Sequence, residues 1–144
     1  MKIIFTLLAS VVGFAHCNGQ SAEQIEAFKK AYPDAIHRPT PPCATYNCHG
    51  LTFASRRTQI NDPGDVSMIL EDDDYDPIDV GAVMPGDIAV YVVDGDVEHS
   101  GVVVGTDPNG PWILSKWGGA HEVIHRPADC EYDASNVEYY RVCK

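Results

Sequence analysis

The feature that most constrains this chain is a hairpin signature in its second half. Asp94-Gly95 stands between two β-rich runs, Asp87-Ile88-Ala89-Val90-Tyr91-Val92-Val93 and His99-Ser100-Gly101-Val102-Val103-Val104-Gly105. An Asp-Gly pair tolerates the positive φ angles of a tight two-residue turn, so the two runs are expected to be antiparallel neighbours. A second turn, Asp107-Pro108-Asn109-Gly110, leads into Trp112-Ile113-Leu114-Ser115-Lys116-Trp117. Gly118-Gly119 separates that run from Glu122-Val123-Ile124-His125, and Val137-Glu138-Tyr139-Tyr140-Arg141-Val142 follows near the end. The first half has helical signals instead. Ser21-Ala22-Glu23-Gln24 is a capping box, and Ile25, Phe28 and Ala31 predict a short amphipathic helix ending before Pro33. Asp62 as N-cap with Pro63 at the first helical position predicts another. Helices first and about five consecutive short strands afterwards imply an α+β domain with helices packed on an antiparallel meander. The acidic stretch Glu71-Asp72-Asp73-Asp74-Tyr75-Asp76 reads as a solvated loop, because it lacks the alternating ligands, central glycine and distal glutamate of a calcium-binding EF-hand.

With 144 residues, 44% hydrophobic and 22% charged, the chain reads as one globular domain over residues 20–144. The net charge of -11 argues against nucleic acid and against anionic membrane surfaces as partners. Residues 1–15 read as a signal peptide: a basic start at Met1-Lys2, an apolar run from Ile3 to Phe14, and small residues for a cut after Ala15, with a second possible cut after Gly19. Export, to the periplasm or outside the cell, without lasting membrane association is the expectation. A lipid anchor on Cys17 is disfavoured by His16 before it. If Cys48 stays free, a cut after Ala15 leaves Cys17, Cys43, Cys130 and Cys143 to form two disulfides, in any of three pairings; Cys130 and Cys143 are expected to be bonded.

Tyr46-Asn47-Cys48-His49-Gly50-Leu51 is the stretch that carries chemistry. The approach through Pro39, Pro41 and Pro42 cannot be helical, and Asn47 is a good N-cap, which puts Cys48 at the first helical position. Unpaired N–H groups there favour thiolate over thiol. His99, at the start of a strand directly after a hairpin, is placed at the sheet rim where such a cysteine could meet it as an ion pair or general base.

These three segments together, Tyr46 to Leu51, Pro85-Gly86-Asp87-Ile88, and His99 to Gly105, resemble the NlpC-type papain-like cysteine peptidases and their CHAP amidase relatives in order, type and spacing. The resemblance covers roughly residues 43 to 142. It implies a papain-like fold, Cys48 as nucleophile and His99 as its base, no cofactor and no metal, and a cell-wall peptide or other amide as substrate. Asn47 replaces the family's usual Asp and His49 its usual Ser, which bears on substrate preference. The third residue, which orients the histidine, should lie on the next strand. If His99, Gly101 and Val103 face the cysteine helix, so do Ile113, Ser115 and Trp117, which makes Ser115 the best-placed candidate. His121, or His125, could substitute. Lys116 has only donors and would not stabilise an imidazolium. The family's oxyanion glutamine is absent, Pro42 standing in its place, so the backbone N–H of Cys48 with Tyr46 or Asn47 would serve. The expected protein is thus an exported, monomeric cysteine amidase. Two rivals are a papain-like binding module without activity, and a zinc protein using Cys43, Cys48, His49, His99 and the later histidines.

Overall fold

The computed structural model describes residues 19–143. The expected signal segment and Cys17 lie outside the described residues. Helix α1 spans Ala22–Ala31 and is closed at its start by the expected capping box, Ser21 accepting from the Gln24 N–H and Gln24 from the Ser21 N–H. A two-residue strand β1 (Ile36–His37) follows, then α2 (Cys48–Phe53) and α3 (Pro63–Asp72), the last with Asp62 as N-cap and Pro63 at its first position. Strands β2 (Tyr75–Ile78), β3 (Ile88–Val93), β4 (Asp96–Asp107), β5 (Gly110–Lys116), β6 (Glu122–His125) and β7 (Val137–Val142) complete the chain. The protein is α+β, as expected.

Among the described residues all strands belong to one antiparallel sheet in the order β1-β6-β5-β4-β3-β7-β2. The five expected strands are present as β3 to β7, and β3 to β6 form the meander. Asp94 and Gly95 have φ of 52° and 90°, the left-handed pair that their turn requires. Seven strands among the described residues, rather than about five, is the correction. β1 is only two residues long, with no run to betray it, and β2 lies in the stretch expected to be a loop. Asp74 turns the chain back with φ of 57°, and Tyr75 to Ile78 pair with Val142 to Tyr139. Pro77 is tolerated there because β2 is an edge strand.

The sheet is covered on both faces. On one, α2 and α3 pack over β4, and Val66 and Leu70 meet Ile88, Val90 and Val97. On the other, α1 and the strap of residues 126–136 cover Tyr91, Val103, Ile113, Trp117 and Val123. Phe28 and Tyr32 meet the Trp117 ring edge-on, with centroids 5.5 and 5.1 Å away. Asp87, of the Pro-Gly-Asp motif, ties the start of β3 to β7. Its carboxylate receives Arg141 Nε at 2.8 Å and Nη2 at 2.7 Å, and the Met84 N–H at 2.7 Å. The Arg141 guanidinium holds that carboxyl below its usual range. Among the described residues no helix is long and apolar enough to cross a membrane.

The cysteines depart from expectation. Cys43 is disulfide-bonded, which removes it from a zinc site, but Cys48, Cys130 and Cys143 are free. Cys130 is buried in the strap, its thiol directed at the carbonyls of Pro127 and Tyr132, whereas Cys143 is exposed after β7 beside Asp76. They sit on different elements with different neighbours, so the expectation that both are bonded does not hold.

Candidate active site

Asn47 starts α2 and does more than cap it. Its Oδ1 accepts from the Gly50 N–H at 2.9 Å and the Ile60 N–H at 3.2 Å, while Nδ2 donates to the Ile60 carbonyl at 2.7 Å and to Asn61 at 3.2 Å. The side chain therefore pins residues 60–61 against the helix start, and its polar capacity is used there. Cys48 takes the first helical position, as the sequence predicts, and lines a cleft of about 390 Å³ together with His49, Asn61, Glu98, Gly118 and Tyr132.

The charge state of Cys48 is where expectation fails. The residue is 5% exposed, and burial pushes its thiol up to about 11. The backbone N–H groups of Ser100, His49 and Cys48 itself pull the other way, as does the Lys116 ammonium, but desolvation is larger. A short helix start does not by itself make a thiolate of a buried sulfur.

His99 explains part of this. Alternation along β4 sends neighbouring side chains to opposite faces. Ser100 faces α2: its hydroxyl meets His49 Nδ1 at 2.7 Å and donates to Thr52 Oγ1 at 3.1 Å. His99 faces the other way, among Tyr91 and His125, with ring centroids 5.0 and 6.2 Å away. Tyr132 lies flat on it, centroids 3.8 Å apart and planes 7° from parallel. His99 is fully buried, neither ring nitrogen has a hydrogen-bond partner among the described residues, and burial, with His125 and His49 nearby, holds its pKa well below the ordinary value. No Cys48–His99 hydrogen bond is formed.

Ser115 does share the face of His99, as alternation predicts, but that is not the face carrying α2. Its hydroxyl pairs with His125 Nε2 at 2.7 Å, and His125 Nδ1 donates to the Arg126 carbonyl at 2.7 Å, so Ser115 is the donor to a neutral ring. His121 pairs with His37, Nε2 to Nδ1 at 2.8 Å; since His37 Nε2 donates to the Tyr32 carbonyl, His121 is the donor between the rings. Neither Ser115 nor His121 bonds His99. Tyr46 donates its hydroxyl at 2.9 Å to the buried Glu122 carboxylate, which the half-exposed Arg56 and Arg38 also meet. His49 stays beside the cleft, held by Ser100, with its pKa lowered by burial.

Two residues near the sulfur were given no place in the site by the sequence reading, which set Lys116 aside as a partner of the histidine and did not consider Tyr132. Lys116 is fully buried, donates to the carbonyls of Cys43 at 2.5 Å and Gly118 at 2.6 Å, and lies 5.0 Å from the Tyr46 ring centre. Burial draws its pKa down to about 8, against the pull of Cys48 and Glu122. The alternation that put Ser115 on one face put Lys116 on the other, toward α2, so the signal existed once the face was known. Tyr132 lies in a strap without periodicity and gave none. Comparison of the chain with protein-family models, with curated proteins and with solved structures finds no match.

Proposed function

We propose that this protein is an exported thiol hydrolase of amide bonds, with cell-wall peptide as its substrate and a papain-like arrangement of helix and sheet. The single observation that carries the reading is Cys48 at the first position of α2, lining an open cleft with backbone N–H groups directed at its sulfur. In such a site the thiolate attacks the amide carbon, and those N–H groups offer donors to the oxyanion. The motif resemblance gives His99 the role of taking the thiol proton and passing it to the leaving amine, after which water cleaves the thioester; the step needs His99 to leave the face on which it is packed. The motif resemblance supplies the substrate class.

The test is incubation of the protein with isolated peptidoglycan and mass spectrometry of what is released. The wild type should free peptide fragments with new carboxyl termini, and Cys48→Ala should free none. Equal release by both would sink the reading. A second reading is favoured by the protonated thiol and the sealed His99, namely a binding cleft whose cysteine is inert. It predicts that wild type and Cys48→Ala retain the same fragments equally and cleave neither.

A further inference from the structure

Glu98 lines the Cys48 cleft, and the hydrolase reading gives it no task. Its place comes from an irregularity in the β3–β4 hairpin. Tyr91 faces His99 and Val92 faces Val97, so position 98 has no partner across the ladder. Such a bulge frees its extra residue from the alternation of the strand and re-aims the side chain. Here the carboxylate is exposed at the cleft, with no hydrogen bond or ion pair among the described residues.

The hollow does not end at Glu98. Val97 beside it also lines a second groove of about 460 Å³, where Leu70 of α3 and Val90 and Tyr140 of the sheet supply apolar walls and Glu71 and Glu138 supply carboxylates. Glu71 is exposed, and Glu138 accepts only from neutral donors, the Tyr140 hydroxyl at 2.7 Å and Asn136 Nδ2 at 3.2 Å. No lysine or arginine lines either hollow, and burial favours the neutral form of the His49 ring in the first. Lys116 is spent on two carbonyls, and Arg38 and Arg56 on Glu122. Carboxylates among apolar walls, without counter-charge, complement a ligand that brings its own cations. A groove that continues past Glu98 suits a chain that also continues, which puts the positive charge on a side chain rather than on a chain end.

We infer that Glu98 is a specificity-determining residue and that the Cys48 cleft takes peptides with basic side chains: Glu98 receives one ammonium or guanidinium in the cleft, and Glu71 with Glu138 receives a second farther along. This rests on the reading of the Cys48 cleft as a substrate site. It narrows the substrate from amides in general to cationic peptides, and within cell-wall material to peptides whose side-chain amines are free.

The experiment measures binding to the Cys48→Ala form of the full chain, in which nothing is turned over. The probes are a peptide of alternating lysine and alanine, acetylated at its amino terminus and labelled with fluorescein at the other end, and the same peptide with its lysine amines acetylated as well. Fluorescence anisotropy should show the lysine peptide binding about 5- to 30-fold more tightly, the range of one or two charged contacts at a half-open site. Glu98→Gln should erase most of that difference and Glu98→Lys should reverse it; position 98 is exposed, so neither change disturbs the core. Glu23→Gln removes an equal charge from α1 and should leave the difference in place, which separates a local contact from the pull of the net charge of -11. Equal affinity for the two peptides, a difference that survives Glu98→Gln, or binding of neither overturns the inference. So does tight binding only of a third probe, with acetylated lysines and a free amino terminus, since the cation would then be a chain end. Selective binding by a protein whose wild type releases nothing from peptidoglycan sustains the inference and ends the hydrolase reading. Peptide release by a wild type with no preference between the probes does the reverse.

Discussion

Removing the Lys116 ammonium would strip two half-buried carbonyls, those of Cys43 and Gly118, of this donor at once. An unpaired acceptor costs up to about 1–3 kcal/mol when fully buried and less when water reaches it, so Lys116→Met is expected to lower stability by roughly 1–3 kcal/mol in urea titration. A loss under about 0.5 kcal/mol would mean that the two carbonyls find other partners. The same change takes away an ammonium that draws the Cys48 thiol down, and the pH midpoint for alkylation of that thiol should move further up. Single residues were legible where their role is local. Asn47 as cap and Cys48 at the first helical position follow from four or five neighbouring residues. The state of the thiol does not, because it depends on what α2 is pressed against.

At the scale of elements, α2 is held so close to the loop after it that only glycine fits at position 50. A Cβ there would overlap the Thr58 carbonyl oxygen, which is backbone and cannot swing aside. Gly50→Ala should therefore destabilise the fold by about 3 kcal/mol or more, despite the better helix propensity of alanine. A variant as stable as wild type in denaturant titration would show that residues 56–58 shift freely. Strands β3 to β7 could be read from the sequence because alternation and tight turns announce them. β1 and β2 could not, since each exists only through a distant partner, β6 and β7. Alternation also grouped His99 with Ser115 correctly. Which side of the sheet receives α2 is set by the path of the chain across it, and no local pattern encodes that.

Across the whole molecule, buried histidines set the response to acid. His125 is fully buried, and burial lowers its pKa from 6.5 to about 4. His99, His121 and His49 are shifted the same way, each with burial as the first cause. A histidine held neutral in the fold takes up its proton more readily when unfolded, so its contribution is complete above about pH 6.5 and is lost as pH falls toward the folded value. For His125 alone this is about 3 kcal/mol between pH 6.5 and pH 4. The urea midpoint should drop steeply across that interval, and less so in His125→Gln; a flat profile would contradict the buried neutral rings. The borders of the sheet have a consequence of a different kind. Among the described residues, one border is a two-residue strand, and the other carries a proline with no N–H to offer, flanked by Asp73, Asp74 and Asp76. Neither is a template on which a second chain could lay down a strand, so the sheet is closed to growth by addition, and copies of this protein crowded together have no ribbon to extend.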